Sequence, residues 1–502
     1  MRADYTNHRT LTTLTGVTRL NLTIRRCRNA QCAAHEKPFR PEAEGRFARP
    51  HHEFGLDVVA LVGRLRYAEH RSVPEIRTHR VGRGLLIAER TVTNLLDRYD
   101  ELLTVALTDD RRLKEVPAAQ RYVILATDGL QPDMGREVLW AIRDVLRGEI
   151  LLAKSLLSAR QQDLAGLLGQ VRDACSVPVV AVVSDGQHSI RKAVAEVFPD
   201  TPHQLCPFHY LREASRPIYE ADRHAKKELK KEVRGVREIE RQVEGATDTQ
   251  AEVIRGYCSA VRSALTGDGR PPLEASGLTL HRRLRAVDAS LKRVAAKGGL
   301  PRPLQRPQGM IRRGLAATES LWPAIGRAFG WVHQAAHILG QVNLFPRQVR
   351  RPWSGLLGAM KHHRESVGAL GDAVDHFLKV SRSYWGGLFF SYRMHDVPRT
   401  NNDPEPAFGS PRYHERRASG RKTASPALVL RGSVRRVAAL TTRQREVSVA
   451  ELSRADRNTW MELRTELEQR RQRRVERSRF RRDPDRYLKA LEHKFHQSRL
   501  LA

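Results

Sequence analysis

The segment between Arg121 and Arg212 limits most strongly what this 502-residue chain can fold into. It begins with three apolar runs, YVILATDG, EVLWAIRDVL and EILLAKSLL, and the dipeptide Arg147-Gly148 between the last two is typical of a tight turn. Helix, strand, helix and a short strand are then predicted over QQDLAGLLGQVRDA, PVVAVVSDG, SIRKAVAEVF and HQLC. A doubly wound parallel sheet is disfavoured, because the first three runs lack the crossover helices that parallel strands require. The segment therefore predicts an α/β fold with a mixed sheet.

Two nearly identical phrases in this segment, ILATDG and AVVSDG, place Asp128 and Asp185 at the ends of the first and fourth strands. A three-stranded meander followed by alternating helix and strand is the order of an RNase H-like sheet, in which the first and fourth strands are neighbours. We therefore expect both carboxylates at one edge, close enough to repel each other unless a cation lies between them. Mg²⁺ binds such carboxylates, and a pair of ions can clamp the two oxygens of an in-line phosphoryl transfer. Alternatively, each Asp-Gly pair forms a turn, or Asp185 caps the following helix.

The charge of the chain indicates a polyanionic partner. There are 88 Lys and Arg against 56 Asp and Glu, a formal charge of +32 that favours nucleic acid above all. We find no apolar run of roughly 18 residues and no signal peptide, so we expect a soluble, intracellular protein with no membrane partner. Five scattered cysteines are too few for a disulfide framework, which favours a reducing compartment.

Residues 1–54 contain Cys27 and Cys32, followed by His35 and the pair His51-His52, in a Pro- and Arg-rich segment without periodicity. Thiolate and imidazole groups suit Zn²⁺, so a small zinc knuckle is one interpretation. The gap between the cysteines is wide and a second tight pair is missing. A loose arm with free thiols is therefore the favoured interpretation of this segment.

Residues 55–115 are predicted to form three short helices with the pattern of a helix-turn-helix. LDVVALVGRLRY is the first, Ser72 to Glu75 offer a capping box for the second, and 82–84 break the chain before the third, IAERTVTNLLDRYDELL. The third helix should bury Val92, Leu95, Leu96 and Tyr99 on one face. Its other face carries side chains able to contact phosphates and base edges, although any three-helix unit has a similar pattern. These predicted DNA-binding residues are Arg90, Thr91, Thr93, Asn94 and Arg98.

Residues 213–395 are predicted to be almost wholly helical, with a Pro-rich break over GLPRPLQRPQGM. Because this block follows the fifth strand, we interpret it as an all-α insertion. It would divide a core whose first part is 120–212 and whose last part is 396–430. From Pro411 onward there are 25 Lys and Arg against 11 Asp and Glu, and 431–502 is predicted to be a basic helical tail, either DNA-holding or a solvated arm.

Two stretches resemble bacterial insertion-sequence transposases of the DDE type, related to the Mutator-like group. RTNNDPEPAFGSPRYHERRASGRK, residues 399–422, resembles the end of their catalytic domain, where an Asn-rich turn leads into the helix with the third carboxylate. SDGQHSIRKAVAEVFPDTPHQLCPFH is similar too, including the Cys/His motif at Cys206 to His209. The order of parts is similar over roughly 50–430, and the motifs are confined to about 121–212 and 399–422.

The resemblance implies that Asp128, Asp185 and Glu405 bind two Mg²⁺ ions, for which Mn²⁺ can substitute. Water would cut a phosphodiester at the transposon end, and the freed 3′-hydroxyl would attack target DNA. The sequence departs from the family at Pro404 and Pro406, which flank Glu405 and require its helix to start late, and Glu415 is the reserve candidate. Phosphate contacts beside the site are expected from Arg416, Arg417, Arg421 and Lys422. Cys206 and His209 either pack the insertion or share a structural zinc, for which Cys27 and Cys32 are the other candidates.

The implied function is a DNA transposase that binds terminal inverted repeats, with double-stranded DNA of the transposon ends and of the target as its partners. Synapsis of two ends implies a homo-oligomer, a dimer or larger, and the implied location is the bacterial cytoplasm, with the nucleoid. Two alternatives stay open at this point. One is a catalytically inactive DNA-binding descendant of a transposase, and the other is an RNase H-like nuclease without strand transfer.

Overall fold

The computed structural model of the protein describes residues 1–81, 87–108, 113–115, 118, 120–130, 138–156, 158–400, 417 and 426–500. The chain divides into two units. Unit 1 consists of residues Met1–Val182, Ser189–Thr201 and Asn401–Ala502. Unit 2 consists of residues Val183–His188 and Pro202–Thr400.

The chain begins with a long β-hairpin. Strands β1 (Arg2–Thr13) and β2 (Gly16–Arg26) are antiparallel, and the two-residue strand β3 (Pro38–Phe39) pairs with the end of β2. The expectation of a loose arm for residues 1–54 was wrong. Leu11, Leu22 and Ile24 alternate with polar residues and are buried, so one face of the hairpin belongs to the core of unit 1.

Three helices follow, close to their predicted bounds: α1 (Leu56–Tyr67), α2 (Val73–Val81) and α3 (Glu89–Leu107). The predicted capping box is confirmed, since Ser72 N donates to Glu75 Oε2 at 2.7 Å and Glu75 N donates to Ser72 Oγ at 3.4 Å. The predicted buried face of α3 is confirmed as well. The predicted break at 82–84 lies outside the described residues.

A five-stranded mixed sheet contains Asp128, and Asp185 directly follows one of its strands. Its strands are β4 (Val123–Leu130), β5 (Val138–Asp144), β6 (Ile150–Leu156), β7 (Val179–Ser184) and β8 (His203–Leu205), in the order β6-β5-β4-β7-β8. The meander β4-β5-β6 is antiparallel. All five predicted strands are therefore confirmed, and so is the prediction that the first and the fourth are neighbours.

Helices α4 (Gln161–Ala174) and α5 (His188–Val197) have the bounds that the sequence predicted to within two residues. Leu164, Leu168 and Val171 of α4 share a buried cluster with Leu125 of β4 and Ile142 of β5. The apolar faces from which these helices were predicted therefore pack against the sheet.

Unit 2 is helical from α6 onward, as predicted, and its core surrounds the fully buried Trp353, Tyr210 and Phe377. The predicted Pro-rich break is shorter than expected. Only 299–301 are non-helical between the two flanking helices, because a proline is accepted in the first helical turn and Pro307 lies inside the second helix. The helices are α6 (Pro207–Ala214), α7 (Arg216–Glu232), α8 (Val236–Gln242), α9 (Thr249–Thr266), α10 (Ser276–Gly298), α11 (Arg302–Thr318), α12 (Trp322–Gly340), α13 (Pro346–His362) and α14 (Gly371–Tyr384).

The C-terminal part is helical, and its first helix belongs to the core of unit 1 instead of a solvated tail. The helices are α15 (Pro426–Gln444), α16 (Val449–Ser453), α17 (Arg457–Arg482) and α18 (Pro484–Leu500). Val437, Ala438 and Leu440 of α15 are buried in one cluster with Leu95 and Tyr99 of α3. The prediction of a solvated tail was wrong for α15, because many arginines interrupt its short apolar face in the sequence and leave no clear periodicity.

A network of charged groups joins α15 to α3. Arg431 Nη2 donates to Glu101 Oε1 at 2.8 Å, and Trp460 Nε1 of α17 donates to the other oxygen of that carboxylate at 2.8 Å. Asp100 is fully buried, with Arg435 Nε 3.5 Å from its Oδ2. Burial raises the pKa of Asp100 to about 7. Of the described helices, none is long and apolar enough to cross a membrane.

Candidate functional site

Asp128 lies inside its strand and not at its end, which corrects the sequence prediction. β4 continues to Leu130, and Asp128 pairs with Ala141 of β5. A Cβ at Gly129 would lie 2.9 Å from Cη2 of Trp140, its direct cross-strand partner, so the Trp140 ring occupies the space that a side chain would take. Asp128 is half-buried, and its Oδ1 accepts a hydrogen bond from Gly129 N at 2.8 Å.

The face of the sheet that carries Asp128 follows from this pairing. Directly paired residues lie on the same face, and Ala141 is in the buried cluster that α1, α3 and α15 form. Val123 and Leu125, with the opposite parity, are in the cluster with α4 and α5. The Asp128 carboxylate is thus on the face opposite to α4 and α5. Pro178 O accepts a hydrogen bond from Val123 N at 3.0 Å, which aligns the beginnings of β7 and β4.

Asp185 directly follows β7, as predicted, and begins a tight turn into α5. Its Oδ1 accepts a hydrogen bond from Gln187 N at 2.9 Å, which is the Asx-turn that Asp-Gly sequences favour. Gly186 has a φ of +84°, a conformation that glycine adopts without a steric penalty. The alternative interpretation of Asp185-Gly186 as a turn is therefore confirmed, and the Asp185 side chain is half-buried beside this turn.

Three residues that the sequence did not single out hold this turn in unit 2. Ser184 Oγ accepts a hydrogen bond from Gly186 N at 3.2 Å and is 2.8 Å from His203 Nε2 on β8. Tyr384, at the end of α14, donates its hydroxyl to Asp185 O at 3.5 Å, and a Cβ at Gly186 would overlap its ring. The turn is therefore supported by a strand and by the last long helix of unit 2. No local sequence signal could have found His203 or Tyr384, because they are distant in the chain from Asp185.

The predicted third carboxylate lies outside the described residues. This holds for Glu405, for Pro404 and Pro406 beside it, and for the reserve candidate Glu415. Of the predicted basic cluster, Arg416, Arg421 and Lys422 lie outside the described residues too. Arg417 is described: its Nη2 is 2.8 Å from Glu75 Oε1 of α2. That hydrogen bond, together with those from Ser72, lowers the pKa of Glu75 to about 2.

The predicted DNA-contacting face of α3 is only partly exposed. Arg90 and Asn94, one turn apart, are exposed, whereas Thr91, Thr93 and Arg98 are half-buried. The Thr93 hydroxyl donates to Glu89 O within the helix. The pKa of Arg98 is lowered mainly by burial of its guanidinium and, to a smaller extent, by the positive charge of the nearby Arg464. The N-terminal half of α3 is therefore the part that presents polar side chains to solvent.

The cysteines proposed for zinc lie in different surroundings. Cys32 Sγ accepts a hydrogen bond from Ala34 N at 3.4 Å, and this bond and the Cys27 thiol lower the pKa of Cys32. Cys206 is fully buried at the start of α6, and His209 on that helix is half-buried. Within the described ranges, no three His, Cys, Asp or Glu side chains are grouped so that they could hold a metal ion.

Comparison with known proteins does not assign the chain to a family. A scan against protein-family models gives no match, and a search of curated proteins gives none.

Proposed function

We propose that this protein is a DDE-type DNA transposase with an RNase H-like catalytic core, a helix-turn-helix over α1 to α3 and a helical insertion after β8. It would bind the inverted repeats of its element, cut DNA in a Mg²⁺-dependent reaction and join the freed 3′ end to target DNA. It would act as a dimer or a larger oligomer. The charge of +32 supports a nucleic-acid partner.

The observation that carries this proposal is the strand order β6-β5-β4-β7-β8. Three antiparallel strands from a meander are followed by two strands that each come after a helix, and a long helical block comes next. The strand with Asp128 and the strand that ends immediately before Asp185 are neighbours in this order. The proposal requires one carboxylate from each of two neighbouring strands, and Asp128 lies on β4 while Asp185 directly follows β7.

The donors suit a hard cation. Carboxylate oxygens are the ligands that Mg²⁺ takes alongside water and substrate phosphate. Asp185 Oδ1 accepts a hydrogen bond from Gln187 N, which holds the carboxylate in a defined orientation. When bound, the ions would activate water and neutralise charge on the phosphoryl oxygens. Asp128, Asp185 and Glu405 would hold them, while exposed Arg90 and Asn94 would contact DNA.

The test is nicking of duplex DNA that carries the sequences flanking the coding region, by the full chain with Mg²⁺. Asp128→Asn, Asp185→Asn and Glu405→Gln should each slow nicking at least about 100-fold, because loss of mere supporting groups at metal sites already costs 10- to 100-fold. Asp173→Asn, an exposed aspartate on α4, is the matched control and should cut at the wild-type rate. Glu415→Gln should also cut normally.

Two results would count against the proposal. If Asp185→Asn cuts as fast as the wild type, the site is wrongly assigned. If the wild type binds these ends and never cuts them with Mg²⁺ or Mn²⁺, the non-catalytic DNA-binding descendant is the better account. Cutting without joining to a target would favour the nuclease.

A further inference from the structure

The outer face of the N-terminal hairpin is an exposed polar surface of unit 1. Because residues alternate along a strand, three cross-strand pairs of β1 and β2 point outward. Every member of these pairs is exposed, and so is Arg25 further along β2. The pairs are Thr6 with Thr23, His8 with Asn21, and Thr10 with Arg19.

The hairpin is a fixed part of unit 1 and not a loose ribbon. A two-stranded hairpin alone is only marginally stable in water, so its inner face must be anchored. Leu22 and Ile24 are buried, and the Arg9 guanidinium donates to the Glu44 carboxylate and to Arg49 O. At the tip, Leu14 N donates to Asp57 Oδ2 at 2.7 Å. The outward side chains are therefore held in a defined arrangement before any partner binds.

The outward face of the hairpin carries positive charge. Of the five arginines between Tyr5 and His35, Arg9 pairs with Glu44, and Arg26 and Arg28 pair with Asp4, whereas Arg19 and Arg25 lie on the outward face. A solvated sheet face normally mixes acidic and basic residues, and a membrane-binding face needs large apolar side chains. The three outward pairs have neither acids nor large apolar groups, and the next pair toward the tip, Thr12 with Val17, adds one exposed valine, too little apolar surface for a membrane-binding face. A polyanion is the complementary partner.

We propose that this face, defined by the pairs Thr6/Thr23, His8/Asn21 and Thr10/Arg19 together with Arg25, is a DNA-reading surface that enters the major groove. The groove is about 12 Å wide and admits a two-stranded ribbon, whose strands are about 4.8 Å apart. The three pairs extend over five residues of each strand, a rise of about 14 Å, which corresponds to roughly four base pairs. The inference shares only the nucleic-acid partner with the proposed function and does not depend on cleavage.

The side chains on this face can read bases. Asn contacts adenine through two hydrogen bonds, Arg contacts guanine in the same way, and the Thr methyl group packs on the thymine methyl. His8 Nδ1 and Asn21 Oδ1 are 2.8 Å apart, a hydrogen bond that orients the Asn21 carboxamide in advance. Fixing a side chain before binding lowers the entropy cost of recognition.

The test uses a 40-base-pair duplex, selected from a random-sequence pool with the full chain, and measures its affinity for the variant Arg19→Ala/Asn21→Ala/Arg25→Ala. The control Arg237→Ala/Arg241→Ala/Gln242→Ala removes the same charge from exposed positions of unit 2. The hairpin variant should bind about 10- to 100-fold more weakly, and the control should bind within about threefold of the wild type. Methylation of guanine N7 in the selected site should interfere with binding of the wild type and not of the hairpin variant. Thermal unfolding of both variants monitors their folding.

The outcomes separate the explanations. Equal affinity of the hairpin variant and the wild type, with the same guanine interference, overturns the proposal. So does a change in oligomeric state with unchanged DNA affinity, because the face would then join copies of this chain. If the triple variant does not fold, Asn21→Asp replaces it: this nearly isosteric change puts a carboxylate on the face and should weaken binding at least about tenfold, and unchanged affinity overturns the proposal. A chain that binds DNA through this face and never cuts leaves the inference standing while the proposed function fails.

Discussion

Gly186 fixes the direction in which Asp185 leaves its strand, and it does so for two reasons. Its φ of +84° is unfavourable for any residue with a Cβ, and a Cβ there would overlap the Tyr384 ring. The sequence could predict the turn from Asp-Gly, but it could not predict Tyr384, which comes from a distant helix.

Gly186→Ala should therefore lower the free energy of unfolding by about 1–3 kcal/mol. The matched control is Gly166→Ala in α4, where the helix is regular and a Cβ would meet nothing within 4 Å. That control should be neutral or stabilising by up to about 1 kcal/mol. Denaturant unfolding measures both, and equal effects of the two substitutions would show that the turn is not constrained as described.

Asp100 is the buried group whose titration should be visible in the stability of the protein. Its pKa in the folded chain is about 7, above the value of about 4 that an unfolded chain gives it. The folded state thus binds more protons between these pH values, so the contribution of Asp100 to stability falls as the pH rises from 4 to 7 and is constant above that range.

Asp100→Asn removes this dependence. The difference in unfolding free energy, variant minus wild type, should increase between pH 5 and pH 8 by at most about 3 kcal/mol, since each of the roughly two pH units between 5 and the pKa of Asp100 corresponds to about 1.4 kcal/mol. The exposed Asp173→Asn serves as the control for the same comparison. A difference that stays constant from pH 5 to pH 8 would contradict a raised pKa for Asp100.

At the scale of elements, the helices and the sheet strands were predictable because their apolar periodicity coincides with what they bury. α4 runs from Gln161 to Ala174, as predicted, and four of its leucine and valine side chains face the sheet. The hairpin β1-β2 was missed because its outward residues are Thr, His, Asn and Arg, and only Leu11, Leu22 and Ile24 are buried on its other face, too few to give a clear alternation. The bounds of α15 were missed for a related reason, since arginines surround its apolar face.

Two Leu→Ala substitutions, one in α15 and one in α18, test the role of α15. Leu440 of α15 is 3% exposed in the core with α3, whereas Leu491 of α18 is 47% exposed. Leu440→Ala should cost about 2–5 kcal/mol of unfolding free energy, and Leu491→Ala should cost less than about 0.5 kcal/mol. Shifts of the urea midpoint give both values. Similar small shifts would mean that the C-terminal region is a solvated tail after all.

At the scale of the whole molecule, the strand order was predictable from the sequence, because meandering strands pair in sequence and later strands with intervening helices add beside the first. The whole metal site is a proposal, and its third carboxylate has the least support, since Glu405 lies in a segment rich in proline and asparagine without apolar periodicity. Sequence similarity to a family motif is the sole basis for Glu405. Asp128 and Asp185 have, in addition, the neighbouring strands β4 and β7.

The central proposal is that Asp128 and Asp185 contribute to one divalent cation site, and binding of Mn²⁺ followed by electron paramagnetic resonance tests it most directly. We expect the wild-type chain to bind Mn²⁺ at a site that Mg²⁺ displaces. Asp128→Asn and Asp185→Asn should each remove this same site, and the double variant should lose no more than either single variant, because the two residues act as one unit. Retention of the site in either single variant, or the loss of a different site in each, would contradict the account.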